Sequence, residues 1–202
     1  MDSGDRLLAV YDHYARQGVS LATASLAGAD EFRTWQHHPE HDAIDRLNGT
    51  RFYYHAHEGE QPTFKGEHGH FHVFAQAGQA RSANANFVHL VAISLDPQGT
   101  PLGLFTTNGW VTGERHMSLK PLLALLKAFR LQVRGRLAPV ARWIEALVHW
   151  QQPAIAQLIR EREALLLAHP QGLKKAWNDT ACHVTSQHAL PHFWSSLIKE
   201  SS

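Results

Sequence analysis

Two neighbouring segments of this chain carry histidine at every second position: Tyr54-His55-Ala56-His57 and Glu67-His68-Gly69-His70-Phe71-His72. Five imidazoles therefore fall within eighteen residues. That period of two places side chains on one face of a β-strand. Neutral imidazoles are good ligands for Zn, Fe, Mn, Ni or Cu, and three or four of them hold one ion. The spacing predicts a divalent transition-metal site with His55, His57, His68 and His70 as ligands and His72 and Glu67 next in line. Glu58, Glu60, Asp42 and His89 are close enough in sequence to add a ligand or orient one.

Whether those imidazoles meet depends on strand register. If residues 51–57 and 67–76 pair as an antiparallel hairpin, opposed residues share a face and their numbers sum to a constant. A sum of 125 opposes His55 to His70, His57 to His68 and Tyr53 to His72, so all five histidines lie on one side. The other side then carries Phe52, Tyr54, Ala56, Gly69, Phe71 and Val73, a coherent apolar surface. A slip of one residue sends the two histidine sets to opposite faces. The odd register is expected, because it alone separates histidine from apolar residues.

The elements that would hold this hairpin follow from periodicity. Leu7, Leu8, Tyr11, Tyr14 and Ala15 recur at helical spacing within a segment from Asp5 to Leu26, with Asp2 or Ser3 to cap it and Gly18 as a weak point. A second short helix is expected from Asp30, with Phe32 and Trp35 on its apolar side, ended by Pro39. His37 to Asp42 reads as a loop into the sheet. Strands are expected at Arg51–His57, Glu67–Gln76, Phe87–Leu95 and Pro101–Asn108. Residues 58–66 and 79–86 connect them, with a tight turn at Asp96-Pro97-Gln98-Gly99. Trp110–Met117 reads as a short fifth strand or a loop. Helices follow from Ser118, from near Pro139 and from Pro153. Arg160-Glu161-Arg162-Glu163 reads as a solvated face. An extended piece near His183–Ser186 and a helix at Phe193–Ile198 close the chain. The predicted fold is α+β: an antiparallel sheet of about four to five strands (residues 51–115) covered by N-terminal and C-terminal helices. It forms one domain over 1–202, with a helical segment at 1–45, a His-rich strand meander at 51–117 and a helical segment at 118–202.

Composition narrows the function. The net charge is +1 with histidines neutral, which gives no electrostatic case for nucleic acid or an anionic membrane as partner. No stretch approaches the roughly 18 apolar residues of a membrane span. A single cysteine, Cys182, fits a reducing compartment, and the first residues lack a basic and apolar leader, so a cytoplasmic protein is expected. Ten of the 16 histidines lie between His37 and His116, a concentration that favours a site over general bias. His37, His38 and His41 read as solvated or capping residues, His89 as a core histidine and His116 as a surface one. Thr106-Thr107-Asn108-Gly109-Trp110 could line a pocket mouth. Cys182 and His183 are strand neighbours and point apart.

The blocks Arg51-Phe52-Tyr53-Tyr54-His55-Ala56-His57, Glu67-His68-Gly69-His70-Phe71-His72, His89-Leu90-Val91-Ala92-Ile93-Ser94 and Leu104–Thr112 together resemble an uncharacterised bacterial protein family of unknown function. The resemblance covers about residues 35 to 150 and implies a soluble single-domain protein. It brings no substrate, cofactor or catalytic residue with it. The HxH spacing is also similar to that of cupin metal sites, but the predicted strands are too few for that barrel. The sequence thus points to a metal-binding α+β protein, with a small metalloenzyme as the sharper reading. A module that binds a small molecule or another protein through the same His and aromatic face is the alternative.

Overall fold

The computed structural model describes residues 2–29, 33–56, 63–78 and 86–200. The expected N-terminal helical segment is divided in two. Helix α1 (Ser3–Ala15) starts where the Asp2 carboxylate accepts the Asp5 N–H, and it buries Leu7, Val10 and Tyr14. Gly18, with φ at 65°, breaks the helix. Helix α2 (Leu21–Ser25) follows, with the Ser20 hydroxyl accepting the Thr23 N–H. Asp30 and Phe32 lie outside the described residues. Trp35 stands in a turn rather than a helix.

Six strands form one antiparallel sheet in sequence order: β1 (His38–Asp45), β2 (Thr50–His55), β3 (Gly69–Gln76), β4 (Phe87–Leu95), β5 (Pro101–Thr107) and β6 (Val184–Ala189). The α+β class is as expected, with six strands in place of four to five. The extra ones are the two edges. The segment read as a loop at 37–42 is most of β1. Proline is tolerated there because an edge strand has one row of backbone groups with no ladder partner. The last edge, β6, is the extended piece near His183, and it is reached only after the C-terminal helices.

Asn108 ends β5 and caps α3 (Gly109–Thr112), so the stretch from Trp110 begins in a short helix, not a strand or loop. Gly109 is needed there: a Cβ would sit 1.9 Å from the indole of Trp177. The remaining helices are α4 (Leu119–Lys127), α5 (Ala138–Trp150), α6 (Gln152–Leu167), α7 (Leu173–Trp177) and α8 (Phe193–Glu200).

The main core forms where the helices meet one face of the sheet. Leu7, Val10, Leu126, Trp143, Ile144, Leu147 and Leu158 pack in a single cluster with Phe52, Tyr54, Phe71, Val73, Val91, Ile93 and Leu104. Burial of a side chain of this size stabilises the fold by about 1.5–3 kcal/mol. The alternate residues of the same strands point to the other face, and that face carries the histidines. Among the described residues, no helix is long and apolar enough to cross a membrane.

Candidate metal centre

The β2–β3 ladder has the register with the sum of 125. His55 opposes His70, Tyr53 opposes His72, and Phe52 opposes Val73. Strand alternation then puts His55, His70 and His72 on the face away from the helices, each 7 % exposed or less. Their Nε2 atoms converge. His55 Nε2 lies 2.9 Å from His70 Nε2 and 3.1 Å from His72 Nε2. A Zn–N bond of about 2.0–2.1 Å sets adjacent tetrahedral ligand nitrogens about 3.3 Å apart. Two edges of the triangle are therefore close to that spacing, the ligand atoms all lie within 4.8 Å of one another, and the three residues form a group able to hold an ion.

The surroundings of His70 favour that use. The Glu67 carboxylate sits against His70 Nδ1 in a very short contact. Burial pushes Glu67 upward. The contact and charge it shares with His70, and the Phe64 N–H that donates to it, outweigh that effect and hold it below the usual carboxylate range. Glu67 is thus an acceptor facing His70 Nδ1, which leaves Nε2 as the His70 atom turned toward the other two rings. A carboxylate behind a ligating imidazole is the usual arrangement for orienting it and raising its basicity. His55 Nε2 touches two nitrogens but can offer only one proton or one lone pair in the ring plane.

A fourth imidazole extends the row. His89 is fully buried, with Nε2 at 3.0 Å from His72 Nδ1. Its place results from a bulge in β4. Val73 faces Val91, whereas Phe74 faces His89, so Leu90 is left over. Without that extra residue His89 would face the helices. Burial, with the charges of Arg162 and His70, holds its pKa well below the ordinary value. The expectation of a core histidine is met in burial, and the residue also supports His72.

The His89 backbone N–H donates to Glu114 Oε2 at 2.9 Å, and the Thr112 hydroxyl donates to the same oxygen. Arg162 lies behind them. Its Nη1 is 3.9 Å from Glu114 Oε1 and 3.4 Å from the His89 carbonyl, and its guanidinium lies over the Trp177 ring. Arg162 therefore does not belong to a solvated face, as the charge run suggested. It is 4 % exposed and occupies the inward stripe of α6 with Ile155, Ile159 and Leu166. That position was readable from helical spacing, but charge alone argued against it.

Burial raises the Glu114 carboxyl from 4.5 to about 7, with Arg162 pulling the other way. The folded state then keeps this proton over a range in which the unfolded state has lost it. Glu114's contribution to stability is fully present below about pH 4.5 and declines as pH rises through about 7. In urea denaturation at pH 5 and pH 7.5, Glu114→Gln should gain on the parent protein as pH rises. A gap independent of pH would contradict the assignment.

His68, also predicted as a ligand, is placed differently. His68 precedes β3, and its Nδ1 lies 2.8 Å from the Tyr54 hydroxyl, outside the triangle. Burial lowers its pKa, opposed by Asp96. Gly69 is needed at the start of β3, since a Cβ there would come within 2.8 Å of both the His55 carbonyl and the Tyr54 ring. His57, Glu58 and Glu60 lie outside the described residues. His37 is stacked on Tyr53 at 3.7 Å and paired with Asp42, which also meets Arg51. His38 is buried and His41 exposed. His116, expected at the surface, is partly covered and meets Glu163 at 2.8 Å.

A cavity of about 810 Å³ opens over the triangle. His70 and His72 are in its wall, with Glu67, His68, Phe105, Trp110 and His183 around them and Trp35 also lining it. Of the stretch expected at a pocket mouth, Thr107 and Trp110 do line the cavity. Thr106 turns the other way, onto Ser186, and Asn108 is used as a cap.

The family described as "Domain of unknown function (DUF6969)" matches residues 1–190. The chain belongs to this family. The span shared with the family includes all six strands and every residue lining the cavity. No curated protein matches the chain, and no solved structure does.

Proposed function

We propose that the protein is a mononuclear transition-metal protein whose ion is held by Nε2 of His55, His70 and His72 and meets a small molecule in the cavity above. The observation that carries this reading is the convergence of three buried Nε2 atoms, one of them backed by a carboxylate. Imidazole donors suit Zn, Fe, Ni and Cu, with Mn weaker in the same series. Three protein ligands leave a coordination position free, which is how catalytic sites differ from structural ones. Bound there, a divalent ion supplies a Lewis acid able to polarise a carbonyl or activate water. The chain's own residues orient His70 through Glu67, brace His72 through His89 and shield the site with Phe105 and Trp110. His68 and His57 are not required by this reading.

The test is metal analysis of protein prepared without a polyhistidine tag, followed by titration of chelator-stripped protein with Zn, Fe, Mn, Ni and Cu salts. One equivalent is expected to bind. At a hundredfold excess over Kd it should add about 2.7 kcal/mol of stability. If none of these ions binds or raises the melting temperature, the proposal falls. The same face would then be a metal-free binding module, a reading favoured by the aromatic lining of the cavity.

A further inference from the structure

We infer that the cavity takes a small organic anion that coordinates through its anionic end and rests an aromatic or otherwise flat apolar body on the indoles. This rests on the metal reading above and names the class of molecule it serves. The charge balance of the cavity carries the argument. Among the described residues lining it there is no Lys or Arg, and one carboxylate, Glu67. Glu67 is 7 % exposed at the side chain and is committed to His70. The three donors are neutral imidazoles, so a divalent ion keeps most of its charge. An anion from the cavity neutralises that charge in a poorly hydrated place. A cationic ligand finds no free counter-charge there and is repelled by the same ion. A neutral one gains less than an anion.

The remaining wall sets the shape of the rest of the molecule. Phe105 and Val111 are apolar, and Trp110 is fixed by its N–H donating to the Cys182 carbonyl at 2.9 Å and by the His183 ring at 4.5 Å. The cavity volume lies within the range of sites for small organic ligands and far exceeds what one water or a simple inorganic anion needs. Trp35 adds a second indole. It is 56 % exposed, and its backbone has φ at 66°, a left-handed value that a bulky side chain rarely adopts. A large exposed indole held in this conformation beside a cavity is placed to cover what enters.

The experiment uses the full chain loaded with one equivalent of Co(II). Benzoate, benzyl alcohol, benzylamine and acetate are titrated, read by the visible cobalt spectrum and by tryptophan fluorescence. Benzoate is expected to perturb both signals and to bind at least tenfold more tightly than each of the other three. Stripping the metal should abolish the preference over benzyl alcohol. Trp35→Gly, which also relieves the left-handed backbone, should weaken benzoate severalfold and leave acetate unchanged. Equal or tighter binding of benzylamine, or benzoate affinity that survives metal removal, overturns the inference while leaving the metal site intact. Failure of cobalt to bind at all overturns both, and stoichiometry measured beforehand separates the two cases.

Discussion

Protein carrying His72→Ala is expected to purify with less than about a tenth of the metal found in the parent, since removal of even an outer support of a ligand costs 10–100-fold in affinity. His72 is the most exacting position to test. It is 1 % exposed, it supplies one of the three converging nitrogens, and its other nitrogen meets His89. Its loss also leaves a buried His89 nitrogen without its partner, at about 1–3 kcal/mol. Glu67→Gln provides the gentler companion. An amide oxygen still accepts from His70 Nδ1, but without charge, so the fold is retained and affinity should drop 10–100-fold. Metal content and competition against a chelator measure both. Parental stoichiometry and affinity in the two variants would show that these residues do not hold the ion.

Arg162→Ala is expected to destabilise the protein by about 1–3 kcal/mol at pH 5, where Glu114 is protonated, the usual cost of leaving buried polar groups short of a partner. Glu114 would lose its facing cation, the His89 carbonyl a donor, and the Trp177 ring its guanidinium cover. Arg162→Lys should recover only part of the loss, because an ammonium cannot lie flat on the indole and reach Glu114 together. Urea denaturation gives the number. A penalty below about 1 kcal/mol would mean that the pair adds nothing to holding β4 in place.

The histidine hairpin was legible because a period of two and a hydrophobic opposite face constrain register together. Either alone would have left His55 and His70 free to slip. Helices α4, α5 and α6 were legible from apolar spacing and from Pro139 and Pro153. Edge strands are harder to read. β1 carries His, Pro and Asp in a pattern shared with loops, and its identity depends on β2 being there to pair with it. β6 depends on β5 in the same way. His89 is the clearest case of information absent from local sequence. Its face is decided by the unmatched Leu90, and a bulge of this kind appears only when both strands are aligned. Arg162 was hidden by the assumption that charge means solvent, although it stands in phase with Ile155, Ile159 and Leu166. His68 shares the parity of its neighbours but precedes the ladder, so alternation no longer governs where its ring goes.

All three converging nitrogens hang from two strands already locked rung by rung. An ion that arrives there has no loop to tether and little chain freedom to quench, so capture should leave the backbone nearly unchanged. A triangle that stiff acts as a gauge. On the metal reading proposed above, cations that prefer six or more oxygens at longer range, such as calcium, should be rejected by its donors.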